Sequence, residues 1–151
     1  MDSQTRMQTL LDNRRPAHSL AQPFYNDPGF HALDMAHIWH GSWIFAGLTC
    51  DIPAPGDFIT LSIGDTPVLL VRDEAGQVQA LYNTCRHRGS QLCLKEKGNA
   101  PKLVCPYHQW TYNLDGSLLY AGHMDAGFDR DAYPLKRPHC RIIGGYIFIC
   151  L

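Results

Sequence analysis

Two short pairs of metal-binding side chains lie in the middle of the sequence. The first pair is Cys85-Arg-His87 and the second is Cys105-Pro-Tyr-His108. Each pair offers one thiolate and one imidazole from a tight loop. Because seventeen residues separate His87 from Cys105, the two loops can close on one object from opposite sides. Thiolate and imidazole ligands together suit zinc, copper and iron–sulfur chemistry, so the sequence predicts a metal site built from these four residues.

The spacing Cys-x-His with Cys-x-x-His, each on its own loop, matches the ligands of a Rieske [2Fe-2S] centre, in which two Cys bind one iron and two His bind the other. Both loops closely resemble the Rieske domain of the large (α) subunit of Rieske non-haem iron oxygenases, in the aromatic ring-hydroxylating dioxygenase family. Near Cys105 and at Gly144-Gly-Tyr146 the sequence is most similar to the branch that oxidises quaternary ammonium compounds such as glycine betaine. The resemblance covers most of the chain, and its motifs are Cys85–Ser90, Cys105–Tyr112, Leu114–Gly116, Trp43–Gly47, Pro55–Phe58, Val71–Asp73 and Gly144–Ile149.

The resemblance implies an electron-transfer domain that holds a Rieske-type [2Fe-2S] cluster. Such a domain relays electrons from a ferredoxin or flavin-containing reductase to a mononuclear non-haem iron, which carries out O2-dependent hydroxylation or demethylation. In the family that Fe(II) is bound by two His and one carboxylate in a C-terminal catalytic domain. We find no such ligand set in this sequence, and Gly144–Leu151 predicts a strand that ends the chain. We therefore expect the catalytic domain, and with it the mononuclear iron, to be absent here.

The same resemblance implies further partners for the full-length protein. These are its own catalytic domain and neighbouring α subunits, which in the family form a ring-shaped trimer. The substrate cannot be named from this sequence, since the substrate pocket belongs to the catalytic domain.

Residues beside the four ligands are candidates for shaping the site. Gly89 and Pro106 fit sharp turns beside an inorganic core and fit ordinary turns equally well. Arg86 and Arg88 flank His87, where they either orient carboxylates of a partner or are simply solvated. The full set of neighbours is Arg86, Arg88, Gly89, Pro106, Tyr107, Trp110 and Tyr112.

Residues of the two loops predict a low reduction potential. High-potential respiratory Rieske proteins carry a disulfide between the cluster loops and a serine aimed at the cluster. By resemblance, those positions are taken here by Ser90, Tyr107 and Trp110. Tyr112 keeps the place of a tyrosine that donates a hydrogen bond to a cysteine ligand. Hydrogen bonds to sulfur stabilise the added electron, so Tyr112 should retain some of this stabilisation. Because the disulfide and the serine are missing, we expect a potential at the low end of the Rieske range of about −150 to +300 mV.

Composition limits the classes of function. The 151 residues, 45% of them hydrophobic, suit one ordinary globular domain. The formal charge of −1, with acids and bases interspersed, predicts neither a nucleic-acid partner nor an anionic membrane surface. The first residues lack the pattern of a secretion signal, and no apolar run approaches the ~20 residues of a membrane span. We therefore expect a cytoplasmic protein. The other cysteines, read as idle thiols or small buried side chains, are Cys50, Cys93, Cys140 and Cys150.

The predicted fold is mainly β, a Rieske-type antiparallel β-sandwich with a cluster-binding subdomain, preceded by an N-terminal arm and one helix. We place the arm and helix in residues 1–42 and the Rieske domain in residues 43–151, with the cluster-binding loops in 84–121. Prolines at 16, 23 and 28 predict an extended arm over residues 1–28. Apolar spacing predicts a helix from Gly29 to about His40, with Asp27 as its cap.

That helix carries a histidine pattern that resembles a metal site. His31, Asp34, His37 and His40 recur every three residues. A spacing of three drifts around a helix by about 60° per step, so His31 and His40 would lie on opposite faces. We expect no metal site there.

Beyond Trp43 the pattern changes to short strands. Four runs rich in branched and aromatic residues predict an antiparallel sheet with tight turns. The sequences Glu74-Ala-Gly76 and Leu114–Ser117 predict two hairpin turns. The four runs are Trp43–Gly47, Phe58–Ile63, Pro67–Arg72 and Val78–Tyr82.

Two other functions fit the same ligands. A stand-alone Rieske ferredoxin would explain the length, although the first 40 residues are unusual for such a carrier. A structural zinc domain would tolerate the four donors chemically. A Rieske cluster is brown, whereas a zinc protein is colourless, so an absorption spectrum distinguishes them.

Overall fold

The computed structural model describes residues 2–151 and shows two compact units. The first ends at Ser42 and the second is Trp43–Leu151. The second unit contains ten strands in three antiparallel sheets, which confirms the predicted mainly β class. No helix in the described part of the chain combines the length and apolar character that crossing a membrane requires.

The N-terminal unit is helical, and the predicted extended arm over residues 1–28 is wrong. Helix α1 is Ser3–Asp12 and α2 is Pro23–Asn26. The Asp2 side chain caps α1 by accepting a hydrogen bond from Thr5 N at 3.0 Å. The prolines do not prevent helices here: Pro16 follows α1, and Pro23 opens α2 in the first turn, where a missing N–H costs nothing.

The third helix begins where the sequence predicted it. Helix α3, Pro28–Asp34, is capped by Asp27, whose side chain accepts from Gly29 N at 2.8 Å and from Phe30 N at 3.3 Å. A π-helical turn, Met35–Trp39, continues it. Arg6 of α1 pairs with Asp27 and lies over the ring of the buried Phe30. These contacts join α1 to α3.

The central sheet has the strand order β4-β3-β2-β5. Three of the four predicted runs form its strands, and Asp73–Gly76 makes the predicted hairpin turn between β3 and β4. Strand β3 is the centre of the core, since Val68–Val71 are fully buried. The strands are β2 (Asp57–Ile63), β3 (Thr66–Arg72), β4 (Val78–Tyr82) and β5 (Lys97–Asn99).

The first predicted run belongs to a different sheet. Strand β1, Ile44–Leu48, pairs with β10, Tyr146–Cys150, and β10 pairs with β9, His139–Ile143. The prediction of one sheet from four consecutive runs is wrong because local periodicity carries no information about a partner about 100 residues away. The final predicted strand is also shorter, since Gly144 and Gly145 have φ of 57° and 86° and form the β9–β10 turn.

The third sheet is small and carries the second cysteine–histidine pair. Its order is β6-β7-β8, with β6 Leu103–Val104, β7 Thr111–Tyr112 and β8 Leu118–Tyr120. The predicted hairpin turn lies between β7 and β8. Buried residues of this sheet and of the central sheet form one apolar cluster, which also contains both cysteines of the pairs. The core and the candidate site are therefore continuous.

This shared core yields a stability prediction. Leu81 is fully buried in the apolar cluster, so Leu81→Ala should lower the free energy of unfolding by about 2–5 kcal/mol. Leu119 is 43% exposed, and Leu119→Ala should change it by no more than about 0.5 kcal/mol. Urea unfolding followed by circular dichroism measures both. Equal effects of the two substitutions would contradict the described core.

Candidate metal centre

The first cysteine–histidine loop is a tight turn closed by backbone hydrogen bonds. Cys85 N donates to Ser90 O at 2.8 Å, and Gly89 N donates to Cys85 O at 3.0 Å. His87 lies at the tip, within the turn formed by residues 86–88. Gly89 has φ of 74°, a conformation that suits glycine. The structure thus places Gly89 in a sharp turn beside the candidate ligands, as the sequence suggested.

The second loop repeats this backbone with a different sequence. Cys105 N donates to Trp110 O at 2.8 Å, and Gln109 N donates to Cys105 O at 3.0 Å. Pro106 opens the turn and His108 ends it. Gln109 stands four residues after the cysteine, as Gly89 does in the first loop, and has φ of 58°. The second loop adopts the left-handed conformation without glycine, which is uncommon.

The two cysteine thiols lie close together under the loops. Cys85 is 3% exposed and Cys105 is 2% exposed. Burial raises the pKa of the Cys85 thiol, and the neighbouring Cys105 thiol adds to that rise while Tyr112 opposes it. A bound metal reverses this preference because it binds the deprotonated thiolate. The pair is therefore suited to hold a cation.

The two histidines complete the donor set. The rings of His87 and His108 lie with centroids 4.7 Å apart. Nδ1 of each ring is buried and has no hydrogen-bond partner. A buried nitrogen without a partner costs stability, and iron ligation would satisfy both. These two nitrogens and the two thiols fit the ligand set of a Rieske cluster.

The four candidate donors lie as one cysteine–histidine pair on each of two loops. Within residues 2–151, no three His, Cys, Asp or Glu side chains are grouped so that they could hold a single ion. A structural zinc ion takes four protein ligands, whereas each iron of a Rieske cluster takes two. Two thiols and two imidazoles supply the number of protein ligands that both irons of such a cluster need.

Tyr112 contacts the first loop at two atoms. Its hydroxyl lies 3.4 Å from Cys85 Sγ and accepts a hydrogen bond from Arg86 N at 3.0 Å. The side chain is fully buried, and burial raises the pKa of the phenol well above its usual value. The hydroxyl therefore stays protonated and can donate to the Cys85 sulfur. Sequence reasoning proposed this contact, and the structure contains it.

The Trp110 side chain packs against His87. Its ring stacks on the imidazole with centroids 4.9 Å apart and planes within 8°. Phe128 and Tyr133 meet Trp110 edge-on at 5.6 and 6.1 Å. Sequence reasoning missed Phe128 and Tyr133 because nothing in their local sequence connects them to a loop some twenty residues earlier. Their rings pack against Trp110, which stacks on the imidazole.

The surroundings of His108 are more open. Tyr107, which is 61% exposed, lies with its ring centroid 3.8 Å from that of His108. Partial burial lowers the pKa of His108, and the nearby His87, Arg88 and His123 lower it further. The imidazole is therefore neutral near pH 7 and available as a ligand. His123 was not singled out from the sequence.

The two arginines of the first loop differ in their surroundings. Arg88 is exposed, whereas Arg86 is half-buried and its Nε is buried without a partner. Arg86 lines an open cavity of about 580 Å³, together with Cys85, Tyr82 and Lys136. The cavity therefore reaches a candidate ligand and carries two cationic side chains.

The four cysteines outside the two loops do not join the site. Cys50 and Cys140 are exposed, and Cys93 and Cys150 are half-buried. Burial raises the pKa of Cys93 to about 11. This thiol is protonated at neutral pH, as expected for an idle thiol.

Comparison with known proteins places this site in context. The model of the family described as "Rieske [2Fe-2S] domain" matches residues 42–134. The chain is 55% identical over 143 residues to the glycine betaine monooxygenase oxygenase subunit of Pseudomonas aeruginosa, covering 94% of this chain and 33% of that protein. It is 33% identical over 137 residues to the anthranilate 1,2-dioxygenase large subunit of Acinetobacter baylyi, covering 89% and 29%. The chain thus spans about a third of the length of these curated relatives.

Solved structures show the same likeness. Naphthalene 1,2-dioxygenase from Rhodococcus sp. superposes with a TM-score of 0.87 at 30% identity, over 99% of this chain and 36% of that one. The quaternary ammonium Rieske monooxygenase CntA, in complex with L-carnitine, superposes with a TM-score of 0.77 at 30% identity, over 85% and 37%. The donor set, the fold and the family match agree, and this chain belongs to the Rieske [2Fe-2S] domain family.

Proposed function

We propose that this chain is the electron-transfer domain of a terminal oxygenase component, which relays electrons from a reductase to a mononuclear non-haem iron for O2-dependent hydroxylation or demethylation. The observation that carries the proposal is the pair of buried, unpartnered Nδ1 atoms of His87 and His108 beside the buried thiols of Cys85 and Cys105. The similarity to oxygenase subunits supports the role.

Each ligand has a defined part in this proposal. Cys85 and Cys105 would hold one iron, and His87 and His108 would hold the other. When bound, a [2Fe-2S] cluster of this type accepts one electron and passes it on. Neutral imidazoles leave the site less negative than thiolates would, so the ligand set itself favours electron uptake. The Tyr112 hydroxyl donates a hydrogen bond to the Cys85 sulfur, and the stacked Trp110 ring fixes the plane of the His87 imidazole.

We propose that the whole protein acts on a quaternary ammonium compound. The support is the identity of 55% to the glycine betaine monooxygenase oxygenase subunit and the likeness to CntA, whose structures contain L-carnitine or γ-butyrobetaine. Residues that select the substrate and bind the mononuclear Fe(II) would lie in a catalytic domain outside these 151 residues. Neighbouring α subunits, arranged as a trimer, would be partners of the full-length protein.

The electron donor in this proposal is a ferredoxin or a flavin-containing reductase. The 580 Å³ cavity beside Cys85 is a suitable docking place, because Arg86 and Lys136 in its lining offer positive charge to carboxylates of a partner. Arg88, exposed on the same loop, extends this charge towards His108. We propose a cytoplasmic location, since thiolate ligands require reduced cysteines and all six cysteines of the described chain are free.

The first test concerns the ligands. Anaerobic reconstitution should give two irons and two sulfides per chain, and Ala at any of Cys85, His87, Cys105 or His108 should abolish the cluster. Cys50, exposed and remote from the loops, provides the control, and Cys50→Ala should keep it. Iron and sulfide analysis with the visible spectrum measures the outcome. Full iron retention by Cys105→Ala would contradict the ligand assignment.

The second test concerns activity. The purified 151-residue chain should be reduced by dithionite or by a suitable reductase, yet it should hydroxylate and demethylate nothing, since we find no ligand set for a mononuclear iron in its sequence. An oxygen electrode, with glycine betaine and carnitine as candidate substrates, provides the measurement. Oxygen consumption that depends on either compound would refute the proposal that this chain only transfers electrons.

The third test concerns the reduction potential. Tyr112→Phe should lower it by tens of millivolts, because it removes one hydrogen bond to sulfur worth about 1 kcal/mol. Tyr25→Phe alters an exposed phenol of the N-terminal unit and should leave the potential unchanged. Protein-film voltammetry at neutral pH measures both variants and the parent chain. A parent value above about +100 mV, in the upper Rieske range, would be incompatible with the low-potential prediction.

A further inference from the structure

The two cluster loops differ in how their bases are closed. The second loop lies on a backbone ladder, in which Leu103 pairs with Tyr112 and Val104 pairs with Thr111. The first loop has one isolated bridge, between Thr84 and Gln91. The residues on the outer side of that bridge, Asn83 and Leu92, do not continue it as a backbone ladder. Another group must hold them together.

The Asn83 side chain occupies that place. Its Nδ2 donates to Cys93 O at 2.8 Å, and its Oδ1 accepts from Cys93 N at 2.9 Å and from Leu92 N at 3.2 Å. A carboxamide carries the same donor and acceptor as a peptide group. Asn83 therefore bonds to Cys93 as a neighbouring strand residue would.

The backbone of Asn83 is fixed as well. Its N–H donates to Pro67 O in β3 at 2.9 Å, and the residue is fully buried. Asn83 thus ties the end of the first loop to the central sheet, two residues before Cys85. Asn83 is one of two polar residues among the buried ones described, the other being Asp73. Burial of a neutral amide is costly unless its hydrogen bonds are made, and here they are made to the loop.

We propose that Asn83 is a positioning residue for the cluster, a side-chain clamp that replaces the missing ladder and fixes Cys85 and His87 relative to Cys105 and His108. This inference rests on the proposed cluster ligands. It concerns the geometry and retention of the cluster, and Asn83 itself contacts neither iron nor sulfide in this role.

Loss of the clamp has a specific consequence. Leu92 N and Cys93 N would be left buried or half-buried without their partner, and the loop end would shift or open to water to satisfy them. Cys93 O retains a bond from Gln91 Nε2 at 3.0 Å. The first loop would then fluctuate more than the second, and the cluster would be released more easily.

The test uses the cluster-loaded chain and three variants. Asn83→Leu keeps the approximate size and removes all three bonds. Asn83→Asp keeps the acceptor, loses the donated bond and places a carboxylate oxygen against Cys93 O. Asn113→Leu is the matched control, since Asn113 is a half-buried asparagine in the β7–β8 turn whose side chain bonds only Ser117 Oγ at 2.9 Å.

We expect iron release to an excess of chelator, measured well below the unfolding temperature, to be about tenfold faster in Asn83→Leu, as the loss of these hydrogen bonds implies. Asn83→Asp should also release iron faster than the parent, and Asn113→Leu should release iron at the parent rate. The electron paramagnetic resonance g-values of reduced Asn83→Leu should also shift, because the Cys85 and His87 geometry changes.

A purely structural role gives a different result. Unchanged release rates and g-values, with only the unfolding temperature lowered, would overturn the proposal. If Asn83→Leu does not fold, Asn83→Asp decides, and release at the parent rate in that variant would overturn it equally. Loss of the cluster from the parent chain itself would instead contradict the ligand assignment, so the two failures are distinguishable.

Discussion

The structure depends on one backbone interaction made twice, the hydrogen bond from a cysteine N–H to the carbonyl five residues later. It closes Cys85 onto Ser90 and Cys105 onto Trp110. Each closure holds a thiol inward and leaves a histidine at the tip, so that two separate segments of chain present matched donors. The sheets behind the loops maintain this match, because the apolar core that stabilises them also contains both thiols. Folding and cofactor binding therefore share the same residues.

The candidate ligands could be proposed from the sequence because residue type and spacing are local properties. Cys85, His87, Cys105 and His108 were identified from two short segments, and the turns at Glu74–Gly76 and Leu114–Ser117 from their composition. Tyr112 could be placed beside Cys85 by resemblance, and the structure has its hydroxyl 3.4 Å from the sulfur. These features require little knowledge of distant contacts.

The parts that could not be predicted depend on long-range pairing or on capping. The partner of β1 is about 100 residues away, and Phe128 and Tyr133 reach Trp110 through tertiary packing alone. Helices α1 and α2 were missed because prolines were taken as breakers, although Pro16 follows α1 and Pro23 occupies a first-turn position in α2. The role of Asn83 was equally hidden, since an asparagine at the end of a strand is an ordinary turn residue by type.

The Gln109 backbone has an implication for protein engineering. Two six-residue segments with little sequence in common, one with glycine and one with glutamine at the left-handed position, follow the same hydrogen-bonded path. This backbone conformation is therefore defined by the hydrogen bond that closes the loop and not by the side chains, so it can be transferred to other sequences. A scaffold that offers two such closures side by side could accept either segment in either place, and glycine at position 109 would relax the less favourable copy.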